Sequence, residues 1–136
     1  MREILFRGKD RTGIMNHSWQ VGALDNTNAE FPKIIRLDRW GKQMIIDAAP
    51  ETVGQFTGIT DKNGKKIFEG DILSFSDRLV YVHWHDYRGC WDCSYIRAVN
   101  GKATLYGDRG PNKWRYNAEV VGNIHDNPEL LKGGEW

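Results

Sequence analysis

Residues 53–75 read VGQFTGITDKNGKKIFEGDILSF, and this stretch decides the fold class. Its two ends, residues 53–59 and 71–75, are rich in β-branched and aromatic residues. Between them, Asn63-Gly64 tolerates the positive φ of a tight hairpin, and Glu69-Gly70-Asp71 predicts a second turn. Short apolar runs bounded by turn residues are typical of β-strands. The stretch therefore predicts successive strands.

The same pattern continues on both sides of this stretch. Further strands are predicted at residues 2–7, 34–37, 44–46, 79–84, 94–99, 103–106 and 119–124. Residues 8–31 are rich in turn residues, which predicts a long loop or a pair of short hairpin arms. Gly122 interrupts the last strand and predicts a bulge or a close backbone approach. Asn127 is a suitable N-cap and Pro128 fits a first helical turn, so a short C-terminal helix is predicted.

These elements define one fold class. A series of short strands separated by turn signals favours a barrel or a sandwich. We therefore predict a mainly β protein whose N-terminal strands and long loop, residues 1–49, pack on a small C-terminal β-barrel, residues 50–136. The 136 residues suit a single domain, and the clearest internal seam is Ala48-Ala49-Pro50.

Charge and composition exclude several functional classes. Nineteen Lys and Arg residues nearly balance eighteen Asp and Glu residues, and the formal charge of +1 is too small for general binding to nucleic acid or membrane surfaces. No apolar run approaches the roughly 20 residues that span a bilayer, so we expect a soluble, cytoplasmic protein. The two cysteines do not form a disulfide scaffold. The six tryptophans are spread along the chain, which suits sheets and interfaces.

Three parts of the chain resemble a known family. They are REI at residues 2–4 with FR at 6–7, QFTG at 55–58 with DKNGKKIFEGDI at 61–72, and EVVGNIH at 119–125 with NPELL at 127–131. In their order and spacing they are similar to the YopX family of phage and prophage proteins. The resemblance implies a phage or prophage origin, a β-rich fold with a barrel-like C-terminal part, and no assigned activity or catalytic residues. The chain departs from the family pattern at Gly8-Lys9 and in a cluster of His and Cys residues.

That cluster is the strongest chemical signal in the sequence. His83 and His85 alternate onto one side of a predicted strand, and Cys90 and Cys93 follow after a short connection. Imidazole and thiolate are a ligand mixture that zinc favours, so a zinc site is one hypothesis. The spacing is not that of a standard zinc finger. The favoured interpretation is therefore two solvent-facing histidines and two ordinary thiols, with no cofactor, and a redox Cys-x-x-Cys site is a further alternative.

A second candidate site interleaves basic and aromatic residues near the C-terminus. Its members are Arg109, Lys113, Trp114, Arg115 and Tyr116. Small barrels bind single-stranded nucleic acid through such loops, and Trp84, Tyr87, Arg88 and Trp91 would add stacking planes nearby. The alternative is a loop anchored in the core or at a subunit contact.

Catalytic signals are weak. Glu69 and Asp71 can share a cleft with His125, but carboxylates in turns usually cap backbone groups. No nucleophile, zinc-protease or phosphate-loop motif is present in the sequence. We therefore predict a non-enzymatic protein that acts by binding. Free sheet edges and scattered tryptophans favour a homo-oligomer or a phage or host protein partner over nucleic acid.

Overall fold

The computed structural model describes residues 3–75, 78–98 and 116–131. These residues form two compact units, Met1–Phe56 and Thr57–Trp136. The strands, all in antiparallel sheets, are β1 (Phe6–Lys9), β2 (Trp19–Asp25), β3 (Lys33–Leu37), β4 (Gln43–Asp47), β5 (Gly54–Thr60), β6 (Lys66–Phe68), β7 (Asp71–Phe75), β8 (Arg78–His85), β9 (Cys90–Ala98) and β10 (Glu119–Asn123). Two 3-10 turns span Pro50–Thr52 and Pro128–Leu131. The prediction of a mainly β protein is confirmed. Within the described ranges, no helix is long and apolar enough to cross a membrane.

The first unit contains strands in the order β4-β3-β2-β1-β5. One face of this sheet forms a core, because Ile34 opposes Ile46 across β3 and β4 and both side chains are buried. Gly8 in β1 faces the same core, and a Cβ at this position would lie 2.8 Å from the Cβ of Ala48. The close packing therefore leaves no room for a side chain on this part of β1.

The predicted strand at residues 2–7 needs correction. β1 spans Phe6–Lys9, and the side chain of Ile4 is 61% exposed. The sequence suggests a turn at Gly8, whereas the structure uses this glycine inside a strand because Ala48 packs directly against it.

Of the two alternatives for residues 8–31, hairpin strands are the correct one. β2 lies between β1 and β3 and pairs with both. The preceding loop is compact because the buried carboxylate of Asp10 accepts N–H groups from Thr12, Met15 and His17 at 3.1, 2.7 and 3.2 Å. Burial alone would raise the pKa of Asp10, but these hydrogen bonds outweigh it and lower the pKa.

The second unit contains the end of β5 paired with β6, and a sheet with the order β10-β7-β8-β9. β7 spans the predicted residues 71–75. The core side chains of this unit are Ile67, Leu73, Phe75, Val80, Val82, Cys93 and Ala118. β6 was not predicted, because its three residues are too few to show a period. The strand predicted at residues 103–106 lies outside the described residues.

The prediction of a closed C-terminal barrel is wrong for the described part of the chain. The sheet begins at β10 and ends at β9, and these two strands do not pair with each other. A sheet closes into a barrel only when it has enough strands to accommodate their tilt and stagger around a filled interior. Common small barrels have about eight strands. Regular spacing of short strands is shared by open sheets and barrels, so the sequence does not distinguish them.

The predicted C-terminal helix is also wrong, since residues 128–131 form a 3-10 turn. The N–H of Leu130 donates to the Asn127 carbonyl at 3.0 Å, which is the i to i−3 bond of a tighter turn. The side chain of Asn127 points back to β10, where its Oδ1 accepts the N–H of Asn123 at 3.2 Å. The expected helix cap is thus engaged elsewhere.

Of the two alternatives predicted at Gly122, a bulge or a close backbone approach, the bulge is the correct one. The register of β10 against β7 shifts between Val120 and Gly122. A Cβ on Gly122 would overlap Oδ1 of Asn127. Glycine at position 122 therefore leaves room for the Asn127 side chain, which binds the N–H of Asn123 at the end of β10.

Candidate functional site

The hairpin of β8 and β9 carries all four predicted zinc ligands, but the structure does not bring them together. In the cross-strand register, His83 opposes Asp92 and His85 opposes Cys90. Directly opposed residues share a face of the sheet, so both histidines and Cys90 lie on one face. Cys93 opposes Val82 and is buried in the core on the other face. A four-ligand site would require Cys93 to leave that core.

Both histidines of the hairpin have hydrogen-bond partners. Nε2 of His83 lies 2.7 Å from Oγ of Ser94. Nδ1 of His85 accepts the N–H of Arg88 at 3.1 Å and thereby supports the turn at residues 86–89. The donor set that shares the outer face is His83, His85, Cys90 and Asp92, and no three such groups converge in the ranges that the structure describes.

The positions of the two cysteines lead to a prediction about thiol chemistry. Cys90 is exposed and Cys93 is buried. Three residues along a strand span about 10 Å, which exceeds the limit of roughly 7 Å between the Cα atoms of a disulfide. We therefore expect one fast-reacting thiol with Ellman's reagent in the native protein, two after unfolding, and no internal disulfide after mild oxidation.

The matched variants for this prediction are Cys90→Ser and Cys93→Ala. The first should abolish the fast phase and the second should retain it. Two fast thiols in the native protein, or a disulfide that links residues 90 and 93, would contradict the observed register.

Of the five predicted nucleic-acid residues, Tyr116 lies in the described ranges. Residues 109–115 lie outside the described ranges, and Tyr116 is 71% exposed. In the β8–β9 hairpin, the rings of Trp84 and Trp91 meet edge to face with centroids 5.1 Å apart. Tyr87 is 96% exposed at the turn. In the described part of the hairpin, the two tryptophan rings thus pack on each other, and the Tyr87 ring is exposed to solvent.

Among the predicted acid and base residues, Asp71 has a structural use. Its buried carboxylate accepts the N–H of Phe68 at 2.7 Å and so fixes the turn before β7. Nε2 of His125 lies 3.6 Å from the position of a Cβ on Gly70, beside this turn. The Asp71 carboxylate thus caps the backbone of this turn.

The sequence interpretation missed an apolar surface on the first unit. The face of the β2, β3 and β4 segments opposite the core carries five apolar residues, which we call the outward face: Val21, Ala23, Ile35, Leu37 and Ile45. Their shared face follows from the register, in which Ala23 opposes Ile35 and Ile35 opposes Ile45. Leu37 is 64% exposed and Ile45 is 60% exposed. The signal was present in the sequence, because an apolar run without alternation predicts a strand that is covered on both faces.

The open edge of β4 adjoins this face. The N–H of Asp38 donates to the Lys42 carbonyl, and the N–H of Ala48 donates to the Pro32 carbonyl. Antiparallel pairs alternate between bonded and non-bonded positions, so the N–H and C=O groups of Gln43 and Ile45 point away from β3. The next residue on that side, Asp47, accepts the N–H of Arg11 at 2.8 Å, which closes the end of the edge.

The chain was compared with known protein families and structures. A family model described as YopX protein matches residues 6–132. No curated protein matches the chain. A solved structure with a similar fold is the crystal structure of protein EF1440 from Enterococcus faecalis, with a TM-score of 0.51 and 24% sequence identity. The match covers 96% of this chain and 99% of that one.

Proposed function

Because this chain belongs to the YopX family, we propose that it is a non-enzymatic phage or prophage accessory protein that acts by binding protein, first of all a second copy of itself. The observation that carries this proposal is the outward face of the first unit. Leu37, Ile45 and Val21 are 64, 60 and 39% exposed on a sheet whose opposite face already has a core.

The outward face does not follow the usual pattern of an antiparallel sheet. Such a sheet normally presents polar side chains on its solvent side. Here the middle of the solvent side of three adjacent strands is apolar, with the Lys33–Asp47 ion pair at its margin, and contiguous exposed apolar residues mark interaction sites. A broad sheet face suits a protein surface, whereas small molecules are bound in concave pockets.

A second copy fits this surface for two reasons. An apolar face can pack on the same face of another copy about a two-fold axis, since no charge complementarity is needed. The open edge at Gln43 and Ile45 is continuous with the face, and strand edges without lysine, proline or a bulge favour pairing with another strand. β4 reads Gln43-Met44-Ile45-Ile46-Asp47 and has none of these protecting features.

The test is a substitution in the centre of the face. Ile45→Lys should weaken self-association by about ten-fold or more, because roughly 1–3 kcal/mol of apolar burial is lost in each copy. The measurement is the molar mass by light scattering across a concentration series.

Val121→Lys is the matched control for this substitution. Val121 is an exposed apolar residue in β10 of the second unit, 44% accessible to solvent. Its variant should associate like the parent protein. Equal association of all three proteins would show that the outward face is not the contact surface.

A further inference from the structure

The turn between β3 and β4, residues 38–42, has a hydrogen-bonded backbone and one exposed aromatic ring. Oδ1 of Asp38 accepts the N–H groups of Trp40 and Lys42 at 2.8 and 2.9 Å. The Asp38 carbonyl accepts the N–H of Gly41 at 3.0 Å, and Gly41 has a φ of 80°. The backbone at Trp40 is thus fixed by hydrogen bonds within the turn.

Trp40 is 78% exposed although tryptophan has the largest apolar side chain. The guanidinium carbon of Arg39 lies 4.7 Å from the centroid of its ring, in a cation–π contact. Because the contact with Arg39 already restricts the ring, Trp40 loses little side-chain freedom when a second planar group stacks on it. The turn is therefore prepared to bind a flat ligand.

The charges of the turn point to the chemistry of that ligand. Arg39 and Lys42 are both exposed, so one cation lies on each side of Trp40 in the sequence. Asp38 is the acidic residue of the turn, and one of its carboxylate oxygens is committed to two backbone N–H groups. The groups presented to solvent are thus an aromatic ring and two positive charges.

We propose that residues 38–42 bind single-stranded nucleic acid. Trp40 stacks on an unpaired base, and Arg39 and Lys42 contact the neighbouring phosphates. Base stacking on aromatic side chains combined with cations along the backbone is the general mode of binding to single strands, and a duplex does not offer free base faces. This site is distinct from the outward face and does not depend on self-association.

The experiment measures binding of a fluorescein-labelled oligothymidine by anisotropy at low salt. Trp40→Ala should raise Kd by about 5-fold or more, because one base stack contributes roughly 1–3 kcal/mol. Trp40→Phe should retain most of the affinity. Arg39→Ala should reduce the slope of log affinity against log salt by about 0.7, the value for one phosphate contact to a single strand.

Phe31→Ala is the matched control, because Phe31 is a 47% exposed aromatic residue whose ring also has a cation–π contact, with the guanidinium carbon of Arg11 at 5.5 Å. Its variant should bind the oligothymidine like the parent protein. The proposal is overturned if the parent protein does not bind at low salt, or if Trp40→Ala and Phe31→Ala have equal effects. It is also overturned if Trp40→Ala changes the molar mass of the protein and leaves Kd unchanged, since the turn would then belong to a protein interface.

Discussion

Gly22→Ala should destabilise the protein by about 3 kcal/mol or more, at the upper end of the cost of forcing an extra methyl group into a packed site. Gly22 lies in β2, and a Cβ at this position would overlap the carbonyl oxygen of Ile35 in β3. It would also lie 3.0 Å from the Ile35 carbonyl carbon and 3.1 Å from the Cβ of Arg36. Two of these atoms belong to the backbone, so no change of rotamer relieves the contact and β3 must move away from β2.

The measurement is the free energy of unfolding from urea titration, with Gly41→Ala as the control. Gly41 has a positive φ and open space around it, so its variant reports the cost of backbone strain alone, about 1–2 kcal/mol. Gly22 is not among the described glycines with positive φ, so its cost comes from the contact. A Gly22→Ala variant as stable as the parent protein would show that β3 does not pack against β2 as closely as the structure has it.

Asp61→Ala should cost about 3–5 kcal/mol, the largest effect we expect from a polar residue, because three backbone N–H groups lose their acceptor together. Oδ1 of Asp61 accepts the N–H groups of Asn63 and Lys65 at 2.8 and 2.9 Å, which fixes the turn between β5 and β6. Oδ2 accepts the N–H of Val120 at 2.9 Å and so ties this turn to β10, 59 residues away in the chain. The Asp61 side chain is buried, so its carboxylate is committed to these donors and not to solvent.

Low pH should also lower the free energy of unfolding through Asp61, but by less than Asp61→Ala does. Burial alone would raise the pKa of Asp61, but the hydrogen bonds from Val120, Lys65 and Asn63 outweigh it and lower the pKa. A carboxyl group whose pKa falls on folding stabilises the protein above its unfolded pKa, which is near pH 4 for Asp, and this contribution is lost as the pH drops further. Asp61→Asn should therefore flatten the loss of stability below about pH 4.

Asp86→Asn is the control for both measurements. Asp86 is an exposed residue of the β8–β9 turn, and surface substitutions of this kind usually change stability by less than about 0.5 kcal/mol. If Asp61→Ala were no more damaging than Asp86→Asn, Asp61 would not be the link between the turn and β10.

Strands with local signals could be predicted from the sequence. β7 was predicted at its exact bounds because apolar residues fill it and turn residues bracket it. The sequence does not resolve β2, because Gly22 resembles a turn residue, whereas the actual constraint on Gly22 is the carbonyl of Ile35 on another strand. A contact between segments distant in sequence leaves no local signal, and the same reason explains the wrong barrel closure.

The candidate sites show the same limit. Alternation alone placed His83 and His85 on one face, and the structure agrees. The face of Cys93 depends on the register of β9 against β8, which cannot be derived from the spacing of the cysteines. The outward face had a visible signal in the consecutive apolar residues of β3 and β4, but only the register shows that Ile35, Leu37 and Ile45 form one surface.

Native mass spectrometry of the full chain, purified from cells without chelator, tests the proposed function most directly. We expect ions that contain two or more copies of the chain, and we expect Ile45→Lys to shift them to the mass of one copy. A parent protein that remains a single copy even at high concentration would contradict self-association through the outward face.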